Sequence, residues 1–327
     1  MKGTLKTGRL LHGGIMVNYR CTAACRHCLY ACSPNRSAGY ISAETLREVC
    51  RQLNAGGCGS VHIGGGEPFL DFEGLLMAVR TLRHAGIALE YVETNAYWAQ
   101  NEDEARKKLE RLQAEGADTL CISLDPFHAE YVPYGYPLRL YDLCGRTGMG
   151  AFLWKPQYAE DLSGLDPRKT HTSAEMKETV SAEYIGETAK SYGIRFGGRA
   201  VTIEREYAPS QPAEELLDDA PCAGLLSGGH FHADMLGYFI PPGCTGLRLP
   251  LAEAVNGIPP EKYPAFEALY YRGIRGLWDY AAAHGFTADI AGYPSKCNLC
   301  FHIRRHLSGQ THPELDPEHY EAVFSFF

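Results

Sequence analysis

No run of Lys and Arg in the 327-residue sequence is longer than the three of Arg106-Lys107-Lys108, and the formal net charge is −8. A protein that grips a phosphate backbone needs a clustered basic face, so nucleic acid is excluded as a partner. No apolar stretch reaches the length of a membrane-spanning helix, and the opening Met1-Lys2-Gly3-Thr4-Leu5-Lys6 lacks the apolar run of a signal peptide. A cytoplasmic protein with no membrane partner is expected. There is no internal repeat, heptad run or low-complexity tract. Hydrophobic content of 45% and charged content of 21% suit a globular chain with ample core.

Cysteine, by contrast, is plentiful, with twelve residues. In a cytosolic protein that count points to metal sites rather than disulfides. Cys50, Cys58, Cys121 and Cys144 fall in apolar stretches, where a cysteine serves as a small buried hydrophobe. Cys32 is the exception, being close to a first ligand-like group. That group is Cys21, Cys25 and Cys28 in Tyr19-Arg20-Cys21-Thr22-Ala23-Ala24-Cys25-Arg26-His27-Cys28. Three thiolates so spaced can converge on one soft metal centre and leave one iron of a four-iron cluster without a protein ligand. On this run alone, a zinc knuckle or a reactive thiol cluster competes equally.

Further on comes Val61-His62-Ile63-Gly64-Gly65-Gly66-Glu67-Pro68-Phe69-Leu70, an apolar strand with a glycine-rich end. With the CxxxCxxC loop and the GGEP motif in this order and spacing, residues 14–200 resemble the radical S-adenosylmethionine (radical SAM) superfamily. The resemblance implies a [4Fe-4S] cluster on Cys21, Cys25 and Cys28, whose open iron binds S-adenosylmethionine. An electron from the cluster would cleave that cofactor to a 5′-deoxyadenosyl radical, which takes hydrogen from a substrate carbon. The family's aromatic residue before the third cysteine is replaced here by His27, whose imidazole can still stack on adenine.

Strand and helix patterns alternate. Strands are expected over 14–19, 59–64, 87–94, 119–124, 150–155 and 194–203. Ser42 and Asn101 read as helix caps, Gly56-Gly57, Gly86 and Gly116 as helix ends, and 137–144 as a short helix. The stretch 156–172 reads as a long loop. A helix is expected from Ser173 to Gly193, with Met176, Val180 and Ala189 inward. Six alternations predict right-handed βαβ units in a parallel sheet, too few for a closed eight-stranded barrel. The expected fold is therefore an open partial (β/α)6 barrel of TIM type over residues 1–205.

In such barrels chemistry gathers at the C-terminal strand ends. Gly65, Gly66 and Glu67 are expected to meet the cofactor's ammonium, glycine allowing close approach. The resemblance places Ser123 and Asp125 against the ribose or methionine moiety, although Asp125 before proline also suits a plain turn. Asn95, ending strand three, bonds cofactor or serves its turn. Arg199 pairs with the cofactor carboxylate, an anionic substrate or a structural acid. His128 is the acid–base candidate.

A second group comprises Cys222, Cys244, Cys297 and Cys300. Two separated cysteines followed far downstream by CxxC resemble the twitch domain, a shortened SPASM domain, in which four thiolates ligate an auxiliary [4Fe-4S] cluster. Residues 206–327 would form that domain. Six residues separate Gly237 from Cys244, where the resembled pattern has four. A structural zinc suits four thiolates as well. A fully ligated cluster can take up the second electron of an oxidation. His230, His232 and Asp234, lying between the first two ligands, are candidates for contacts around that centre or to substrate. One long helix is expected between Pro260 and Gly285, and the apolar end Phe324-Ser325-Phe326-Phe327 is expected to dock on the body.

The function expected is that of a radical SAM oxidoreductase in an oxygen-poor cell, served by a reductase such as flavodoxin or ferredoxin. Only about a dozen residues precede the first expected strand. A leader-peptide recognition domain does not fit there, which tilts the expectation toward a small-molecule substrate. A maturase of a ribosomally made peptide is the alternative, and a non-catalytic iron–sulfur or zinc protein the remote one.

Overall fold

In a computed structural model describing residues 4–222 and 224–325, eight strands form one sheet in the order β5-β4-β3-β2-β1-β6-β7-β8. They are β1 (His12–Met16), β2 (Ser60–Gly64), β3 (Ala88–Thr94), β4 (Thr119–Ser123), β5 (Gly150–Trp154), β6 (His230–Ala233), β7 (Tyr238–Ile240) and β8 (Leu249–Pro250). All pairings from β5 through β1 to β6 are parallel, and β7 and β8 add antiparallel. β5 and β8 are the two edges, so the sheet is open. β1 and β2 are short runs buried on both faces, as parallel strands covered by helices require.

Helices α1 (Ala43–Ala55), α2 (Phe72–His84) and α3 (Glu102–Glu115) link the first four strands. Ser42 caps α1 by accepting from the Thr45 amide, and Asn101 caps α3 through Glu104. Gly116 ends α3 in a left-handed conformation (φ 105°). A one-turn helix α4 (Pro126–Ala129) and α5 (Gly135–Thr147) lead to β5.

The chain departs from expectation beyond β5. Residues 194–203 are no strand: Gly198 turns with φ 53° against the Leu29 carbonyl, and Ala200–Ile203 is a helical turn. The sixth parallel strand is β6, and it pairs with β1 on the side away from β5. Thus the sheet continues past residue 205, and Phe231, Ala233, Phe239 and Leu251 share the core of the parallel sheet. The stretch 156–172 holds a helical turn (Tyr158–Asp161), and the helix expected from Ser173 is two helices, Ser173–Thr179 and Tyr184–Tyr192. The first begins at Ser173 as expected and is capped by Thr172, and Val180 is exposed between them.

A second core lies under the C-terminal segment, where Leu269, Leu277, Leu299, Phe301 and Tyr320 are buried together. The helix Pro264–Ala282 is broken at Gly273 (φ 56°), where any side chain would strike the Ala220 carbonyl. That close approach seats the segment carrying Cys222, whose amide donates to Leu269 O at 3.3 Å. Phe324 packs near Phe301, while Phe326 and Phe327 lie outside the described residues. No helix among the described residues is long and apolar enough to cross a membrane.

Candidate active site

The chain leaves β1 into a loop that closes on itself. Arg20 bridges Ser33, and the Cys21 amide donates to Ser33 O at 3.1 Å. Within it the Cys28 amide donates to Cys25 O at 3.0 Å. Arg199 lies fully buried behind this loop. Its Nε donates to Cys25 O at 3.0 Å, its Nη2 to Cys32 O, and its amide to Cys28 O at 3.0 Å. The arginine expected at a cofactor carboxylate therefore holds three carbonyls of the cysteine loop in place.

The glycine turn after β2 is stapled onto the same loop. Gly66 N donates to Asn18 O at 3.0 Å and to Asn18 Oδ1 at 2.9 Å, and Glu67 N donates to Arg20 O at 3.0 Å. A Cβ at Gly66 would overlap the Arg20 carbonyl, so glycine is needed here for loop-to-turn contact. The Glu67 carboxylate points inward. It accepts from the Phe69 amide (3.1 Å), the Asn95 amide (2.7 Å) and Thr94 Oγ1 (3.0 Å). Glu67 thus ties the turn to the end of β3.

A cavity of about 500 Å³ opens over these elements. Cys21, Cys25, Cys28, His27, Gly65, Gly66, Asn95, Ser123 and His128 line it, and Glu67, Asp125 and Arg199 stand fully buried behind its wall. Asn95 Nδ2 donates to Thr22 Oγ1 at 3.0 Å and lies 3.6 Å from Cys21 Sγ. Asp125 caps α4 through the His128 amide, and its Oδ2 lies 2.7 Å from His128 Nδ1 and 3.9 Å from His27 Nε2. Burial works against charge on Asp125, but His128 and His27 outweigh it and hold the carboxyl below its usual range. Burial likewise opposes protonation of His128, and Asp125 and Cys25 overcome it, so that imidazole lies well above its ordinary value. His27 stacks on Phe127 at 4.7 Å, and burial pushes it down to about 4.

Burial raises the Cys21 and Cys25 thiols. Cys28 is the opposite case: a hydrogen bond from the Cys32 thiol, with help from Arg199, holds it well below the ordinary thiol value. The donor set fits an iron–sulfur group. Thiolates on a single tetrahedral zinc at about 2.3 Å stand about 3.8 Å apart. Among the described residues, no three cysteine sulfurs lie within 4.8 Å of one another. A cluster with each sulfur on its own iron spans the wider gap.

The second cysteine group lies in the C-terminal segment. Cys222, Cys244, Cys297 and Cys300 act electrostatically on one another, and burial followed by neighbouring thiolates raises Cys222 to about 11. Burial raises Cys244 to about 12. Arg304, buried, donates to Thr245 O at 2.8 Å and contacts the Cys300 thiol. His230 and His232 lie in β6 and line the cavity of the first group, while Asp234 accepts from Tyr19 OH at 3.1 Å.

Sequence reasoning missed Asn18, Tyr192 (3.4 Å from Asp125), and the convergence of His62 with His230 and His232. His62 and the His-x-His of 230–232 stood in apolar strand patterns, where polar residues facing inward are a signal by themselves.

Comparison with known proteins gives a match to the Radical SAM superfamily over residues 15–148. YydG of Bacillus subtilis (strain 168), provisionally named for peptide biosynthesis, is 25% identical over 119 residues. That match spans 36% of this chain and 37% of the relative. Among solved structures, S-adenosylmethionine-bound SuiB of Streptococcus suis aligns with TM-score 0.44 at 15% identity, over 76% of this chain and 64% of that one. S-adenosylmethionine-bound anSMEcpe aligns with TM-score 0.44 at 14% identity, over 97% and 96%.

Proposed function

We propose, from the match of residues 15–148 to the Radical SAM superfamily, that the protein is an iron–sulfur enzyme that cleaves S-adenosylmethionine reductively and takes hydrogen from a substrate carbon. Cys21, Cys25 and Cys28 would hold the cluster. When bound, cluster and cofactor supply the electron and the hydrogen-abstracting radical. One observation carries the reading: the three cysteines and the Gly65-Gly66 turn, from separate strands, face one cavity at the C-terminal strand ends.

The chain's own residues have definable tasks. Arg199 and Asn18 fix the loop and turn against each other. His128, clamped by Asp125, puts an N–H donor beside the Cys25 sulfur. Such a donor stabilises thiolate charge and suits tuning of the cluster better than proton shuttling. Asn95, Ser123 and His27 offer polar contacts to the bound cofactor, and the apolar parts of the wall keep water from the reacting carbon.

Cys222, Cys244, Cys297 and Cys300 would hold an auxiliary cluster that takes up the second electron. Their place after a radical SAM-like segment supports iron–sulfur over a single zinc. A peptide substrate is favoured over a small molecule by the name of the curated relative. A small reductase would supply electrons.

Anaerobic protein reconstituted with iron and sulfide, then reduced with S-adenosylmethionine, should form 5′-deoxyadenosine, and Cys25→Ala should form none. A loaded wild-type cluster without that product would favour an electron carrier.

A further inference from the structure

β1 carries a glycine where both of its neighbours carry histidine. Gly14 is in register with His62 of β2 and with His232 of β6. A methyl group at Gly14 would collide with His62 Nε2 and sit 2.7 Å from His232 Nε2. The absent side chain leaves room for two imidazoles to reach over β1. His230, two residues before His232, shares its face by the strand's period of two. One ring nitrogen from each of the three lies within 4.8 Å of the other two. His62 is 2% exposed, and its Nδ1 has no hydrogen-bond partner.

Three converging rings could be mere packing, but packing leaves the buried His62 Nδ1 unexplained. A buried imidazole nitrogen without a partner costs roughly 1–3 kcal/mol. A proton is a poor remedy, because three imidazolium ions cannot share one pocket. A metal ion satisfies all three at once.

We infer that His62, His230 and His232 form a binding site for a divalent first-row transition metal, zinc being the natural occupant, separate from both cysteine groups. Imidazole suits zinc, and three histidines with one position left open is an established zinc arrangement. Bonds of about 2.1 Å place tetrahedral ligand nitrogens about 3.4 Å apart, so the rings need draw in by about 1.5 Å at most. Groups stand ready to orient them: His12 Nδ1 is 3.2 Å from His230 Nδ1, Glu93 Oε1 is 3.8 Å from His62 Nε2, and Tyr91 stacks on His62 at 4.8 Å. The three histidines line the same cavity as the cysteine loop. The open position therefore faces whatever occupies that cavity and takes an oxygen or nitrogen donor from it. This site stands whether or not the chain performs radical chemistry.

The test uses the anaerobic protein with its cysteine groups already loaded with iron and sulfide. Zinc is titrated in competition with a chromophoric chelator, and the bound metal is examined by zinc K-edge X-ray absorption. The expected result is one zinc per chain in a nitrogen and oxygen shell at about 2.0–2.1 Å without sulfur. His230→Gln, at the exposed start of β6, should weaken zinc binding by at least about 100-fold, beyond what loss of an outer partner costs, with iron content unchanged. His12→Gln should weaken it by about 10-fold. A sulfur-containing shell, no retained zinc, or equal affinity in a folded His230→Gln protein would overturn the site. Should His230→Gln not fold, the shell measured in the wild-type protein decides alone.

Discussion

Asn18 spans both sides of the glycine turn: its Oδ1 accepts from Gly66 N at 2.9 Å, and its Nδ2 donates to Glu67 O at 3.0 Å. The residue is buried, so both partners lose water as well as freedom. Through this one carboxamide the loop after β1 and the turn after β2 become a single unit. Asn18→Ala leaves the Glu67 carbonyl without its donor and should cost about 1–3 kcal/mol. Denaturant unfolding reads that loss, and iron uptake at the first cysteine group should fall with it. An unchanged midpoint would mean that other contacts hold the turn.

The Cys32 amide donates to Cys28 Sγ at 3.4 Å, a contact by which Cys32 supports the loop. Cys32→Ala should keep its full iron content, whereas Cys28→Ala should lose one whole cluster. Iron and sulfide counting on the two variants separates the roles. Equal loss in both would mean a fourth thiolate on the cluster, and no open iron.

Glu67 couples the turn to pH. Burial pushes its carboxyl from 4.5 up to about 7, against the pull of its hydrogen bonds from Asn95, Phe69 and Thr94. Between those values the folded chain binds more protons here than the unfolded chain, so this residue's contribution to stability falls as pH rises through the window. The fall is at most about 3 kcal/mol. Glu67→Gln removes it, so the variant should gain on the wild type between pH 5 and pH 7.5. A stability difference independent of pH would contradict this.

The second cysteine group makes a prediction about metal identity. Cys297→Ala combined with Cys300→Ala should remove about half of the iron and leave the first cluster in place. Loss of zinc with iron untouched would mark the site as structural zinc.

Much of the site could be read from the chain because its residues are close in sequence or sit at strand ends. The caps at Ser42 and Asn101, the first five strands and the convergence of CxxxCxxC with the glycine turn all follow from local patterns. What failed depended on distant contacts. Ile194-Arg195-Phe196 reads as a strand start, but Gly197-Gly198 lets the chain dive under Leu29 so that Arg199 can brace the loop. The sixth strand hides in His230-Phe231-His232-Ala233, whose histidines break the apolar pattern because they face a cavity. The hydrogen bonds that Glu67 accepts from the end of β3 and from the turn are likewise contacts that only the fold reveals. Gly273 sits inside a helical pattern, and only the approach of Ala220 explains its break.

The central claim is that three thiolates in the first loop leave one iron open to the cofactor. Electron–nuclear double resonance on the reduced cluster, with S-adenosylmethionine labelled with 15N at its amino group, tests this most directly. The account predicts a 15N coupling in the wild type that persists in Cys32→Ala. A loaded cluster showing no such coupling, with the cofactor present in excess, would contradict it.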